Sequence, residues 1–287
     1  MNTKNSSPII QASELLELYK SKNLILIDAN TGINAKANYE EKHLEGALFV
    51  DLNTQLADIK EDASIGGRHP LPKIEDFAET VANFGISSAS RVVIYDDKNG
   101  SNAAARLWWM LKSLGHEKVQ VLNGGFQEAE KMHFPTSSKT EIVTKAEAYK
   151  TKNWKLQMAT IDEVEKVSQD KNHIVIDVRD VERYNGETEP IDLVAGHIPG
   201  AINIPFTENL DANGLFLDPK ELKEKYSKVF ENVKTENTIV HCGSGVTACH
   251  TLLAIAYAEL EIPKLYVGSW SEWSRNNKTI ATNVKNK

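Results

Sequence analysis

Cys242-Gly243-Ser244-Gly245-Val246-Thr247 lies between a β-branched run, Asn237-Thr238-Ile239-Val240-His241, and an apolar helix-period segment, Val246 to Leu260. A cysteine at a strand-to-helix turn is placed to act as a nucleophile. Gly243 and Gly245 let the backbone curl until successive N–H groups point inward, forming an anion-binding nest at the positive end of the following helix. Such a nest stabilises a negative charge formed on sulfur. The same residues also admit a glycine turn around a buried, inert thiol, so the surrounding sequence has to decide.

Other residues with reactive side chains are weaker candidates. Cys249 stands seven positions after Cys242, a spacing that makes neither a C-x-x-C redox pair nor a zinc site, and it falls within the helix as a small core residue. His241 adjoins the cysteine, but strand alternation sends neighbouring side chains to opposite faces, which argues against it as the base. Asp28 and Asp177 each end an apolar strand pattern, and their duplication favours structural hydrogen bonding. Trp108, Trp109 and Trp270 read as core or interface fillers.

The elements that hold these residues come in two matching sets. Leu24 to Asp28 is answered by His173 to Asp177, and His43-Leu44-Glu45-Gly46-Ala47 by His197-Ile198-Pro199-Gly200-Ala201. Arg91 to Asp96 is answered by Asn237 to Cys242, and Leu122-Asn123-Gly124-Gly125-Phe126 by Tyr266-Val267-Gly268-Ser269-Trp270, at offsets of 144 to 154 residues. The repeat is therefore a whole domain. Each half alternates strand runs with helix-period segments such as Ala103 to Gly115, which predicts an α/β fold with a mostly parallel sheet flanked by helices. The expected boundaries are a first domain over 1–137, a polar, Lys-rich linker over 138–151, and a second domain over 152–287. Asp96 holds the place of Cys242 in the first half, so only one reaction centre is expected.

Composition narrows the partners. A net charge of −7 over 287 residues, with no broad basic stripe, argues against nucleic acid or an anionic membrane surface. No segment has the apolar length to span a bilayer, the N-terminal stretch does not read as a signal peptide, and two unpaired cysteines suit a reduced, cytoplasmic setting.

The paired H-x-x-G-A motifs, the run Gly196-His197-Ile198-Pro199-Gly200-Ala201 and the loop C-G-S-G-V-T-A from Cys242 to Ala248 together resemble the tandem-domain rhodanese family, the thiosulfate and 3-mercaptopyruvate sulfurtransferases. The resemblance covers nearly the whole chain and implies two rhodanese-like domains, of which only the second is catalytic. It implies that Cys242 attacks the sulfane sulfur of a small anionic donor and passes it, as a persulfide, to cyanide or a thiol, including a thioredoxin-like one. Backbone N–H groups of Gly243, Ser244, Gly245, Val246 and Thr247 would hold the sulfur anion, helped by the Ser244 and Thr247 hydroxyls. No metal or organic cofactor is implied. Arg183 matches the arginine that binds the donor's anionic end, with Arg68 next in line should Arg183 not serve; a solvated loop arginine is the alternative. His69 matches a first-domain histidine that reaches the interdomain cleft in mercaptopyruvate enzymes and assists proton transfer to pyruvate enolate; otherwise it is a structural or exposed loop histidine.

Several positions depart from the pattern. Mercaptopyruvate enzymes commonly carry a second carboxylate-binding arginine beyond the first, whereas Gly186-Glu187-Thr188-Glu189-Pro190-Ile191-Asp192 has none. The early D-x-D reads Asp51-Leu52-Asn53, so an acid proposed for charge relay is missing at Asn53. Thiosulfate enzymes usually place basic residues after the cysteine, where this chain has uncharged Gly243 and Ser244. The preferred donor stays open between the two. A phosphatase on this fold would need arginine where Ala248 stands, and a persulfide carrier or sensor fed by a protein partner is the remaining alternative.

Overall fold

The computed structural model describes residues 7–284, and the chain divides into two compact units. The first comprises residues up to Leu56, Pro72–Lys155 and the short Ala212–Phe216; the second comprises Ala57–Leu71, Leu156–Asp211 and Leu217 onward. This differs from the contiguous division expected at 137 and 152. The polar segment 138–151 packs with the first unit, as Ala146 N–H donating to the Ala82 carbonyl and His116 Nδ1 meeting the Tyr149 hydroxyl at 2.6 Å illustrate. Ala57–Leu71, early in the sequence, packs with the second unit. Hydrophobic periodicity reports which elements form, and it carries no signal for which core an irregular segment joins.

In the first unit the strands are β1 (Ile9–Ile10), β2 (Leu24–Asn30), β3 (His43–Leu44), β4 (Ala47–Asp51), β5 (Arg91–Tyr95), β6 (Val119–Leu122) and β7 (Thr136–Ser137). Five form an all-parallel sheet in the order β1-β6-β5-β2-β4, while β3 and β7 make a small antiparallel pair. The near-continuous Val/Ile/Leu runs of β2 and β5 suit a sheet covered on both faces. The second unit repeats the plan with β8 (Met158–Ala159), β9 (Ile174–Asp177), β10 (Ile202–Asn203), β11 (Thr238–His241) and β12 (Lys264–Tyr266), ordered β8-β12-β11-β9-β10 and again parallel. The middle strand of each sheet, β5 or β11, ends immediately before Asp96 or Cys242. The duplication read from the sequence is thus a duplication of topology.

A local module repeats with it. In the first unit the His43 ring stacks on Tyr39 at 4.0 Å, its Nδ1 meets the Tyr39 carbonyl, and the Tyr39 hydroxyl donates to the Ala47 carbonyl. In the second, His197 stacks on Tyr184 at 3.8 Å with the same two bonds, to Tyr184 and Ala201. Both histidines fix the approach to the strand that follows the H-x-x-G-A motif. Trp108, Trp109, Trp270 and Trp273 are buried core side chains.

The loop after β5 is closed by its own first residue. The buried Asp96 carboxylate accepts the N–H groups of Lys98 (2.9 Å), Gly100 (2.7 Å), Asn102 (3.0 Å) and Ala104 (3.2 Å). Burial pushes its pKa up, and these four donors pull against that shift. Asp96→Asn places an NH2 group among N–H donors, so a loss of about 2–3 kcal/mol is expected in urea unfolding. An unchanged midpoint would show these bonds to be dispensable.

His250 gives the second unit an acid limit. It lies fully buried in the helix Thr247–Tyr257, edge-on to Phe206, and burial drives its pKa from 6.5 down to about 3. Below pH 6.5 the unfolded chain takes up a proton that the folded chain refuses, so stability falls by about 1.4 kcal/mol per pH unit from this group until about pH 3. His250→Gln should flatten that limb in denaturation curves taken between pH 7 and 4, leaving the slope above pH 7 unaltered. An equally steep acid limb in the variant would exclude His250 as its source.

Candidate active site

Cys242 is the first residue after β11 and is 1% exposed. Its N–H donates to the Ser269 hydroxyl at 3.2 Å, while its carbonyl and that of Gly243 accept from Trp270 N–H (3.0 Å) and Ser271 N–H (2.8 Å). The helix Ser269–Trp273 therefore clamps the outer side of the loop. Gly245 turns the chain at φ +73° and lies against the Val267 carbonyl, where a Cβ would have no room. Val246 caps the helix Thr247–Tyr257, whose first turn follows directly. Among the described residues no hydrogen-bond acceptor takes the N–H of Gly243, Ser244 or Val246. The corresponding loop in the first unit has filled its N–H groups with Asp96.

The Ser244 hydroxyl is 2.7 Å from Nδ1 of His69. His69, read from sequence as a first-domain residue, belongs by its packing to the second unit. Its segment is held there by Gly66 N–H donating to Glu272 and Arg68 N–H donating to Ser271 Oγ, at 2.9 and 3.0 Å. An imidazole on a hydroxyl two residues from a thiol can pass a proton to or from a group bound over the loop.

Arg183 sits in the short helix Val181–Asn185, and it is far from a solvated loop arginine. Its Nε and Nη2 grip Glu189 at 2.7 to 3.1 Å, Nη2 reaches Asp192 at 3.3 Å, and the side chain is only 12% exposed. The carboxylates hold the guanidinium beside Gly243, where a Cβ would lie 3.5 and 3.6 Å from its two terminal nitrogens. A second buried pair lies behind it: Arg179 grips Asp177 and reaches Glu189, with its guanidinium 4.5 Å above the Trp270 ring. Burial penalises the Asp177 charge, yet Arg179 and neighbouring His241 outweigh it and leave the carboxyl below its ordinary pKa.

Of the predicted residues, Cys242, Gly243, Ser244, Gly245 and Val246 form one turn, His69 joins it at Ser244, and Arg183 stands at Gly243. Thr247 opens the helix. His241 is fully buried with Nδ1 on the Cys242 carbonyl at 3.2 Å and Nε2 turned to Asp177 at 3.8 Å, and burial lowers its pKa. Cys249 is buried in the helix, its thiol on the Gly245 carbonyl at 3.4 Å. Sequence reasoning did not single out Glu189, Asp192 or Arg275. The two acids lie in the very segment searched for an arginine, and a search for cations passes over the anions that hold one.

A rhodanese-like domain model matches residues 11–132 and again 160–276. A probable 3-mercaptopyruvate sulfurtransferase of Pseudomonas aeruginosa is 34% identical over 275 residues, covering 94% of this chain and 95% of the relative. A thiosulfate sulfurtransferase of Rattus norvegicus is 36% identical over 248 residues, covering 84% and 80%. Among solved structures, a 3-mercaptopyruvate sulfotransferase of Escherichia coli superposes with a TM-score of 0.76 at 30% identity, over 93% of this chain and all of that one.

Proposed function

The chain belongs to the rhodanese-like family, whose domain it carries twice, and it is a sulfurtransferase; on that premise we propose that Cys242 is its sulfur carrier and that 3-mercaptopyruvate or thiosulfate is its donor. The Cys242 thiolate attacks the donor's outer sulfur. With thiosulfate the S–S bond breaks and sulfite leaves with the electron pair. With mercaptopyruvate the C–S bond breaks, and the departing pyruvate enolate takes up a proton. Either way a Cys242 persulfide remains, and a thiol or cyanide attacks its outer sulfur and restores the thiolate.

The observation that carries this reading is the contrast between the two loops after the central strands. In one, a carboxylate takes four N–H donors of the loop; in the other the residue at that position is a thiol, and among the described residues the N–H groups of Gly243, Ser244 and Val246 have no protein acceptor. A reduced thiol is required, which fits a reducing compartment such as the cytoplasm; both cysteines are free, and no described helix is long and apolar enough to cross a membrane.

His69 and Ser244 deliver the proton that the mercaptopyruvate route needs and the thiosulfate route does not. Parallel steady-state assays with both donors and a dithiol acceptor test this. In His69→Gln, kcat with mercaptopyruvate is expected to fall by about 10²-fold or more, with a much smaller loss for thiosulfate. Equal losses for both donors would strip His69 of a proton-transfer role. No turnover of either donor by the unmutated chain, with sulfur taken up only from a protein, would replace enzyme by carrier.

A further inference from the structure

Three arginines from three separate stretches of the second unit converge on one buried carboxylate. Asp192, whose side chain is 0% exposed, accepts Arg68 Nε at 3.0 Å and Arg68 Nη2 at 3.3 Å, Arg183 Nη2 at 3.3 Å, and Arg275 Nη1 at 3.0 Å. Arg275 is drawn back by a further bond to the Ser271 carbonyl at 2.8 Å. The other two reach the nucleophile's loop. A Cβ placed on Gly243 would lie 3.1 Å from Arg68 Nη2, nearer than either terminal nitrogen of Arg183. Gly243 is thus flanked by two guanidiniums, each anchored on one edge, and among the described residues neither Arg68 Nη1 nor Arg183 Nη1 has a carboxylate partner.

We propose that Arg68 is the second donor-binding residue of this site, and that Asp192 is the positioning residue that sets Arg68 and Arg183 side by side over Gly243 to receive a carboxylate or sulfonate. This rests on the sulfurtransferase reading for the identity of the ligand and on the geometry alone for its charge. The segment 186–192 lacks a second arginine; its last residue, Asp192, instead recruits one from Ala57–Leu71. A single guanidinium committed along one edge to Glu189 keeps one outward nitrogen, whereas two such groups offer an anion paired donors. Asp192 fixes both forks in place, so less rotamer freedom is lost when the donor docks.

The test compares alkylation of Cys242, mapped by peptide mass, by anionic iodoacetate and neutral iodoacetamide in the full chain, alongside KM and kcat for mercaptopyruvate and thiosulfate. In Arg68→Gln the iodoacetate-to-iodoacetamide rate ratio and the donor kcat/KM are both expected to fall about tenfold, the latter mainly through KM. Arg68→Lys should restore the ratio and only part of kcat/KM, because it returns the charge without the fork. Lys150→Gln, which removes an exposed cation elsewhere, should change neither. Asp192→Asn should raise KM for both donors. An Arg68→Gln protein that keeps the parental ratio and KM overturns the assignment; if that variant fails to fold, Arg68→Lys with parental KM for both donors does so. A falling ratio in a chain that turns over neither donor would keep the anion site and sink the sulfurtransferase reading.

Discussion

Cys242→Ser is expected to abolish transfer of sulfur to a thiol acceptor, a loss of at least about 10³-fold, and to remove the single added sulfur that intact-mass analysis should find after donor treatment. A serine hydroxyl is a weak nucleophile unless a base takes its proton, and the nearest imidazole in sequence cannot do so. His241 is fully buried, its Nδ1 lies on the Cys242 carbonyl and its Nε2 turns to Asp177. Cys249 cannot take over, since its thiol is buried inside the helix and committed to the Gly245 carbonyl at 3.4 Å. Cys249→Ser should therefore keep the adduct. Persistence of the adduct in Cys242→Ser, or its disappearance from a folded Cys249→Ser, would remove Cys242 from the centre of the reaction.

What made Cys242 legible was local order. A β-branched run, a cysteine with two glycines and an apolar helix are contiguous, and contiguous residues report their own turn. The duplicated plan was legible for a related reason: Asp96 and Cys242 follow equivalent central strands, and two copies of one pattern verify each other. Residues brought together by packing were less so. Nothing in Gly66-Gly67-Arg68-His69-Pro70 announces that this segment joins the second unit, because its attachments to Glu272, Ser271 and Ser244 come from more than 170 residues away. The Arg183 fork was visible as a cation, but its Glu189 and Asp192 anchors were not. A carboxylate that places an arginine reads in sequence like any surface acid, and only its burial at 3% or less side-chain exposure reveals the task.

Gly245→Ala should be costly at the nucleophile's own loop, because two penalties coincide there. The residue holds φ +73°, which L side chains rarely adopt, and the new Cβ would press into the Val267 carbonyl just beyond β12, the strand paired with β11. A backbone carbonyl beside a paired strand cannot swing aside as a flexible side chain can. The loop must move instead, and with it the N–H groups of Gly243, Ser244 and Val246. Gly46→Ala separates the two penalties, since Gly46 has a similar φ of +85° and nothing within 4 Å of its Cβ position. Gly46→Ala should lose about 1 kcal/mol in urea unfolding and retain full transfer. Gly245→Ala should lose about 2–4 kcal/mol and, at temperatures where it stays folded, transfer sulfur about a hundredfold more slowly, because a nest displaced by a fraction of an ångström no longer meets the sulfur anion. If the two variants proved equally mild in both measurements, the tight packing of the loop against Val267 would not be what holds the nest in shape.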